Sequence, residues 1–313
     1  MGKKYKYIFG PVPSRRFGRS LGVDLLPLKT CSLDCIFCQL GRTKEKTTNR
    51  KVYVPTEEVI KELESWLSRG IETDVVTLSG SGEPTLHSHF GDVLEFIRSN
   101  TNIPTVLLTN GTMLHLPEVR KAASLAHMVK ISLSAWDQVS YGWVNRPHPE
   151  LSFEDLVHGQ RKFREEFKGK LFVEVFLIKG INATAEDVNK IASLVKMIRP
   201  DRVQLNTAVR PPAEGFVMPL SRDELERLAG LFEPQAEVIA EFRGQQARNI
   251  KANEEAILSM LQRRPCTAEE ISEIFEMHVN EVSKYLGKLL KESLIRVERR
   301  GNLIYYCGNP SNA

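Results

Sequence analysis

The sequence predicts an α/β fold built on a parallel sheet, followed by a small C-terminal domain with the element order of a winged helix-turn-helix. Two observations predict the sheet: six short apolar runs have the character of buried strands, and amphipathic stretches separate them. A third observation predicts the second domain, because 313 residues exceed what one hydrophobic core usually serves. The six runs are SLGVDLLP (20–27), DVVTLSG (74–80), TVLLTNG (105–111), MVKISLS (128–134), LFVEVFLI (171–178) and RVQLNTA (202–208).

The stretches between the runs are predicted to be helices. In the segment from Pro55 to Gly70, Pro55 and Thr56 suit a helix start and Gly70 suits its end. A repeated strand–helix unit requires right-handed crossovers between parallel strands, in a sheet that is either open and doubly wound or curved toward a barrel. In both arrangements ligands bind at the carboxyl ends of the strands. Functional residues are therefore expected just after the apolar runs.

The regular alternation fades after Arg210, and a different pattern begins near Asn249. We expect a sheet domain with an N-terminal extension over 1–210, a linker or extension over 211–248 and a winged helix-like domain over 249–313. In this last domain, ANEEAILSMLQ, TAEEISEIF and VNEVSKYLGKLLKESL predict three helices, the second capped by Thr267. LIRVERRGNLIYYC then predicts a two-stranded ribbon that turns at Arg300 to Asn302.

The composition is that of a soluble globular protein. Hydrophobic residues at 42% and charged residues at 26% are ordinary values, and no apolar run approaches membrane-spanning length. The N-terminal segment MGKKYKYIFGP has no apolar stretch followed by a small-residue cleavage site, so it does not predict a secretory signal. A net charge of +4 is too small to make the whole chain a polyanion binder. We expect a cytoplasmic protein without membrane contact.

Three of the five cysteines, Cys31, Cys35 and Cys38, are clustered. Chance clustering of small buried residues is one explanation, and a zinc site is another. Structural zinc usually takes four protein ligands in paired short spacings, and no second Cys or His pair stands at a suitable distance. Iron–sulfur clusters are also held by thiolates, and a four-iron cluster with three protein thiolates leaves one iron open for chemistry. The distant Cys266 and Cys307 suit a reducing compartment better than a disulfide framework.

The spacing Cys31-x3-Cys35-x2-Cys38, with Phe37 before the last cysteine, resembles the signature of the radical S-adenosylmethionine (SAM) superfamily. The resemblance implies a partial (β/α)6 TIM-like barrel over roughly Tyr5 to Arg210, in agreement with the six runs. It also implies a [4Fe–4S] cluster on the three cysteines, with SAM chelated to the open iron through its amino and carboxylate groups. An electron from the cluster, supplied by a donor such as flavodoxin or ferredoxin, breaks the sulfonium bond. The resulting 5′-deoxyadenosyl radical abstracts a substrate hydrogen.

Further positions resemble the cofactor-binding turns of that family. Ser81-Gly82-Glu83-Pro84 resembles the Gly-Gly-Glu-Pro segment, in which backbone and carboxylate groups receive the SAM ammonium. Standing alone, this segment would indicate only a turn before a helix. Thr109-Asn110-Gly111 resembles a TNG turn, and Ser132 ends the fourth run, where a polar residue near the ribose is expected. Residues 178–182 and 204–206 correspond to positions where polar groups of the family contact the adenine. An ordinary loop would explain these two sequence segments equally well. The implied cofactor-binding residues are Phe37, Ser81, Gly82, Glu83, Asn110 and Ser132.

The segment GPVPSRRFGRSLGVDLLP (10–27) resembles a subgroup of uncharacterised radical SAM proteins related to the tRNA wyosine-synthesis enzymes. Arg15, Arg16 and Arg19 in this segment form either a solvated basic turn or a site at the barrel mouth for a carboxylate or phosphate. The wyosine enzymes carry additional cysteines for a second cluster. Here only Cys266 and Cys307 remain, and we predict that both are structural.

The tail domain has equal numbers of basic and acidic residues between Lys251 and Cys307, unlike a dedicated DNA reader. A local nucleic-acid face and a protein-docking role both stay open, because basic residues share one face of the third helix and the wing tip. These residues are Lys284, Lys288, Lys291, Arg299 and Arg300. We predict a radical SAM enzyme that modifies a macromolecule, either RNA or a protein. The alternative is a transcriptional regulator whose cluster senses redox state or SAM while the winged helix reads DNA, although a sensor would not require intact SAM-binding turns.

Overall fold

The computed structural model describes residues 5–14, 17–239, 254–301 and 303–309. Arg15, Arg16 and Asn302, which the sequence analysis singled out, lie outside the described residues. Residues 240–253, which include the expected start of the last domain, lie outside them as well.

One sheet with the strand order β1-β2-β5-β6-β7-β8-β9-β10 forms the body of the molecule. Every neighbouring pair in it is parallel except β1 and β2, which are antiparallel. The predicted parallel α/β fold is therefore confirmed, and all six predicted strands are present. The sheet strands are β1 (Ile8–Ser14), β2 (Gly18–Val23), β5 (Val75–Leu78), β6 (Thr105–Leu108), β7 (Met128–Ser132), β8 (Lys170–Leu177), β9 (Arg202–Thr207) and β10 (Glu237–Val238), while β3 (Thr30–Cys31) and β4 (Glu45–Lys46) pair with each other.

Two strands of this sheet were not predicted. β1 has the sequence IFGPVPS, whose glycine and prolines are unfavourable in a central strand. The structure places it at the sheet edge, where one side of the strand needs no partner and proline is tolerated. β10 is only two residues long and lies in the segment 211–248 that was expected to be a linker, so the sheet extends beyond the expected boundary at residue 210.

Helices connect the successive parallel strands. Ser152, Thr184 and Ser221 each cap a helix by accepting a hydrogen bond from a backbone N–H in its first turn, which explains where those helices begin. The fully buried faces of the strands and helices form one main core. The connecting helices are α1 (Thr56–Leu67), α2 (Phe90–Asn100), α3 (Pro117–Ala123), α4 (Gln138–Asn145), α5 (Phe153–Glu166), α6 (Ala185–Ile198) and α7 (Arg222–Ala229).

The C-terminal unit has a core of its own, in which Ile257, Ile271 and Leu286 are buried. Its elements appear in the predicted order of three helices and an antiparallel strand pair, and Thr267 caps the second helix as expected. They are α8 (Glu254–Leu261), α9 (Ala268–Phe275), α10 (Val279–Lys291), β11 (Ile295–Arg300) and β12 (Leu303–Gly308).

The C-terminal unit is hydrogen-bonded to the chain that follows β9. The Tyr305 hydroxyl donates to the Val209 carbonyl at 2.9 Å, and the Arg300 guanidinium donates to the Arg210 and Val217 carbonyls at 2.7 and 2.6 Å. Two N–H groups of Arg300 are therefore used inside the molecule, and its contribution to a nucleic-acid face stays a prediction.

Among the residues that the structure describes, no helix has both the length and the apolar character needed to cross a membrane.

Candidate active site

The clustered cysteines lie on the loop that leaves the carboxyl end of β2. Thr30 and Cys31 pair with residues 45–46, so the intervening chain folds back over the cysteines. Two further backbone bonds tighten the loop, from Cys38 N to the Cys35 carbonyl at 3.1 Å and from Gly41 N to the Cys38 carbonyl at 3.0 Å. All three cysteines are free thiols of intermediate exposure.

Each of the three sulfurs accepts a hydrogen bond from a different side chain. Lys29 Nζ lies 3.1 Å from Cys38 Sγ, and the Lys29 side chain has no carboxylate partner among the described residues. Asn145 Nδ2 lies 3.2 Å from Cys35 Sγ. Asn110 Nδ2 lies 3.6 Å from Cys31 Sγ and 2.9 Å from Ser32 Oγ. Donors of this kind stabilise thiolates and tune the electronics of a metal centre.

Burial disfavours the thiolate forms of Cys31 and Cys35 despite these donors. Burial raises the pKa of Cys31 to about 12, and the nearby Glu83 and Cys38 add to the increase. Burial also raises the pKa of Cys35, with additional effects from the other two cysteines. Three mutually repelling thiolates on one loop require a cationic partner, as a metal centre would provide.

A donor set of three thiols on one loop suits either a soft metal ion or an iron–sulfur cluster, and the two differ in the geometry they need. A zinc ion needs its ligand atoms about 2.0–2.3 Å from one point. Within the described part of the chain, no three His, Cys, Asp or Glu side chains converge as a site for a metal ion. In a four-iron cluster each cysteine binds a different iron, so the sulfurs lie farther apart. Cys266 and Cys307 are buried in the C-terminal unit and are not part of this loop.

The Ser81–Glu83 turn follows β5 and is bound to the cysteine loop. Ser81 O accepts from Lys29 N at 2.6 Å, and Glu83 N donates to Thr30 O at 3.1 Å. At Gly82 the two backbones are so close that an added Cβ would lie 1.9 Å from Thr30 O. Only glycine allows this approach, which explains the residue type.

The buried Glu83 carboxylate joins this turn to the one after β6. Oε1 accepts from Thr109 Oγ1 at 2.6 Å and from both the hydroxyl and the amide of Thr85, at 2.6 and 3.1 Å. Oε2 accepts from Asn110 N at 2.7 Å. Burial raises the pKa of Glu83, while these hydrogen bonds lower it and favour the ionised form. Since Oε2 has only one donor here, it retains acceptor capacity.

Phe37 and Ser132 are associated with the neighbouring strands β8 and β7. The Phe37 ring stacks on Phe176 of β8 with a centroid distance of 4.0 Å and an interplanar angle of 10°. Ser132 ends β7 with its side chain half-buried, and its carbonyl accepts from Gln160 Nε2 at 3.0 Å. The structure thus brings Phe37, Ser132 and both turns to the carboxyl ends of the strands, where the sequence placed them.

Polar residues of β7, β8 and β9 form a network across the sheet. Lys130 Nζ lies 2.7 Å from Glu174 Oε2, and Asn206 Nδ2 donates to Glu174 Oε1 at 3.1 Å. Asn182 Nδ2 donates to the Ser134 and Phe176 carbonyls at 2.8 and 2.9 Å. Asn182 and Asn206 belong to the two segments predicted to lie near the adenine, and their amide N–H groups are therefore hydrogen-bonded within the protein.

The suggestion that Arg19 holds an anion at the barrel mouth is wrong. Arg19 lies at the amino end of β2, opposite to the cysteines, and its guanidinium pairs with Glu72 and with Asp74, the latter at 3.0 Å. Conversely, no sequence pattern predicted a role for Lys29, Asn145 or Asp24. An ammonium two residues before the first cysteine was a local signal for Lys29, whereas the other two act across long sequence separations.

Comparison with known proteins points to the part of the chain that contains the cysteine loop and the two turns. The family model described as Radical SAM superfamily matches residues 25–195, more than half of the chain. A Helicobacter pylori protein named UPF0026 protein is 34% identical over 305 residues, covering 96% of this chain and 97% of the relative. A solved radical SAM methyltransferase from Sphaerobacter thermophilus shares the fold with a TM-score of 0.52 at 16% identity, covering 73% of this chain and 68% of that chain.

Two other relatives carry functional names. A Brachyspira hyodysenteriae protein named GTPase Obg is 35% identical over 310 residues, which are 98% of this chain and 46% of that protein. The present chain thus spans about half the length of that relative, and it contains no G-x4-G-K-[ST] phosphate-binding motif. An Endomicrobium trichonymphae protein named "Probable dual-specificity RNA methyltransferase RlmN" is 27% identical over 187 residues, covering 56% of this chain and 51% of the relative.

Proposed function

The chain belongs to the radical SAM superfamily and is an enzyme of that class, and on this premise we propose that Cys31, Cys35 and Cys38 hold a [4Fe–4S] cluster whose open iron binds SAM. The observation that carries the proposal is the set of three thiols on one loop, each with its own N–H donor. When bound, the cluster supplies the electron that cleaves the sulfonium bond of SAM to give a 5′-deoxyadenosyl radical. Members of the superfamily take this electron from a reductant, and we expect an acidic carrier such as flavodoxin or ferredoxin in a cytoplasmic setting.

The protein supplies position and exclusion of water. Lys29, Asn110 and Asn145 offset the charge of the thiolates and orient them. Ile36 and Val144 are buried with Ile178 in an apolar cluster that includes the Phe37–Phe176 stack, and this cluster keeps water from one side of the cysteine loop.

We assign the SAM-binding surface to the two turns and their neighbours. The Ser81–Glu83 backbone and the free acceptor capacity of Glu83 Oε2 suit the SAM ammonium, since an ammonium group needs acceptors. Ser132 offers a polar group at the end of β7, and Phe37 offers an aromatic face. Asn110 follows β6, and its side chain is bonded to Ser32 and Thr112. These are the residues that the family resemblance implied.

The first experiment tests cleavage. Anaerobically reconstituted protein, reduced with dithionite and given SAM, is expected to release 5′-deoxyadenosine and methionine. Cys35→Ala is expected to lose the cluster and this activity, because two thiolates hold the iron poorly. Cys307→Ala is the matched control, since Cys307 is a buried cysteine outside the loop and its loss should leave iron content unchanged. Equal iron content in both variants would contradict the ligand assignment.

We further propose that the substrate is RNA. Two observations favour RNA over a protein: the relative with an RNA methyltransferase name, and the exposed Lys284 and Lys291 on α10 of a unit that we interpret as a winged helix. Lys288, on the same helix face, pairs with Glu254 at 2.7 Å. The resemblance to a wyosine-related subgroup points the same way, whereas no comparison supports the regulator hypothesis. A basic helix face of this kind binds phosphates in a salt-dependent manner.

The substrate proposal is tested by binding of total tRNA from the host at several salt concentrations. Lys284→Gln combined with Lys291→Gln should weaken binding and reduce the salt dependence by about 1–2 counterions. The control is Lys196→Gln, an exposed lysine on α6 of the sheet domain. If RNA does not bind and a protein co-purifies and is modified instead, the substrate assignment is wrong while the enzyme assignment stands.

A further inference from the structure

Arg263, just after α8 in the C-terminal unit, is packed against the edge of the sheet domain. Its guanidinium carbon lies 3.7 Å from the centre of the Phe9 ring. Phe9 in turn covers Gly22 of β2, where an added Cβ would meet the ring at 2.0 Å. The Arg263 Nη1 group donates to the Ser259 carbonyl at 3.0 Å, which fixes the side chain to its own helix.

The guanidinium also lies near a buried carboxylate. Arg263 Nη2 lies 3.9 Å from Asp24 Oδ2, and the two side chains are 19% and 10% exposed. The Nε group of Arg263 is buried and has no hydrogen-bond partner in the described structure. Burying a carboxylate is costly, and a cation at this distance offsets part of that cost for Asp24.

Asp24 holds the first residue of the Ser81–Glu83 turn. Ser81 N lies 3.1 Å from both carboxylate oxygens, and Ser81 Oγ donates to Oδ2 at 2.5 Å. The preceding Gly80 has φ +137°, and an added Cβ there would meet the Asp24 carboxylate at 2.4 Å. The turn is thus wrapped directly around this carboxylate.

These contacts form a continuous series from the C-terminal unit to the turn assigned to SAM. We propose that Arg263 is a positioning residue for SAM: acting through Asp24, it fixes the Ser81–Glu83 turn, so the C-terminal unit completes the cofactor site. The inference rests on the proposed role of that turn in SAM binding. It gives the C-terminal unit a function in the sheet domain that is separate from substrate recruitment.

The experiment compares SAM affinity in cluster-loaded variants. Arg263→Gln removes the charge and keeps an N–H donor on a side chain that is two atoms shorter. We expect its dissociation constant for SAM to rise about tenfold, as is typical when an outer partner of a metal site is lost, with iron and sulfide content unchanged. Binding is followed by equilibrium dialysis and by the change that SAM causes in the electron paramagnetic resonance spectrum of the reduced cluster. Arg299→Gln, an exposed arginine of β11, is the matched control and should bind SAM as the wild type does.

A double-mutant cycle separates positioning from simple packing. If Arg263 acts through Asp24, Arg263→Gln should have little further effect on SAM affinity in an Asp24→Asn background. If Arg263 only packs on Phe9, its effect should be undiminished there, and the proposal is overturned. Should Arg263→Gln not accumulate as folded protein, Asp24→Asn alone provides the test, with the same tenfold loss expected and wild-type affinity overturning the proposal.

The outcomes also distinguish this inference from the proposed function. Wild-type protein that carries a cluster but neither binds nor cleaves SAM would refute the proposed function, and this inference with it. Wild-type protein that cleaves SAM, together with a folded Arg263→Gln variant of unchanged SAM affinity, would refute this inference alone.

Discussion

Gly82→Ala is the sharpest single test of how the cysteine loop and the cofactor turn fit together. The new methyl group would lie 1.9 Å from Thr30 O, whereas real Cβ atoms essentially never come closer than 3.0 Å. The two backbones must therefore separate by about 1 Å. That movement weakens the hydrogen bonds from Glu83 N to Thr30 O and from Lys29 N to Ser81 O, now 3.1 and 2.6 Å.

The expected loss of stability follows from these contacts. Overpacking costs about 1–3 kcal/mol, and each weakened hydrogen bond costs about 1 kcal/mol. We therefore expect a decrease of about 3–5 kcal/mol in the free energy of unfolding. For a domain of this size the melting temperature should fall by roughly 10 °C. The affinity for SAM should fall as well, because the displaced turn contains its proposed ligands.

Thermal unfolding followed by circular dichroism measures the first effect, and equilibrium dialysis of cluster-loaded protein measures the second. Gly142→Ala is the matched control, because Gly142 is an exposed residue of α4 with no atom within 4 Å of an added Cβ. There the same substitution should stabilise the protein by about 0.5–1 kcal/mol, through a better helix propensity. A Gly82→Ala protein with wild-type melting temperature and SAM affinity would refute the reasoning.

Three further outcomes are expected. Phe176→Leu removes the aromatic stack on Phe37 and should cost about 1 kcal/mol beyond the lost area, measured as faster loss of iron to a chelator; an unchanged rate would contradict it. Tyr305→Phe should lower the free energy of unfolding by about 1 kcal/mol through the lost bond to the chain after β9, and denaturant unfolding would show whether it does. His87 is buried, and its Nε2 is hydrogen-bonded to the Val54 carbonyl at 2.9 Å. Burial lowers the pKa of His87 below 6.5, so below that pH the unfolded chain takes up a proton that the folded chain does not. Stability should therefore fall as the pH falls from 6.5, and His87→Gln should flatten this dependence in denaturant titrations at several pH values.

The features that the sequence predicted are local. A parallel strand that is buried on both faces appears in the sequence as a run of apolar residues. All six predicted strands could be recognised from such runs. The cysteine spacing is also contained in eight residues, and the element order of the C-terminal unit follows from capping and periodicity. β1 was missed because its prolines are tolerated only at an edge, and an edge is a property of the assembled sheet.

The features that the sequence did not predict depend on long-range contacts. Asn145 reaches Cys35 across 110 positions, and Asp24 reaches Ser81 across 57. Arg19 pairs with Asp74 across a similar sequence separation, so the residue predicted to bind an anion forms an ion pair within the protein instead. No local pattern distinguishes such residues from ordinary polar residues of a loop, since their partners are set by the fold.

Glu83 restricts how this protein can evolve. Every group that contacts its carboxylate in the described structure is a donor, so a glutamine there would point an amide hydrogen at another hydrogen, and an aspartate would be one methylene too short to reach. A lineage can therefore vary its substrate-facing surfaces while this one position stays constant. Sequence variation at Glu83 would indicate that both neighbouring turns had been rebuilt together.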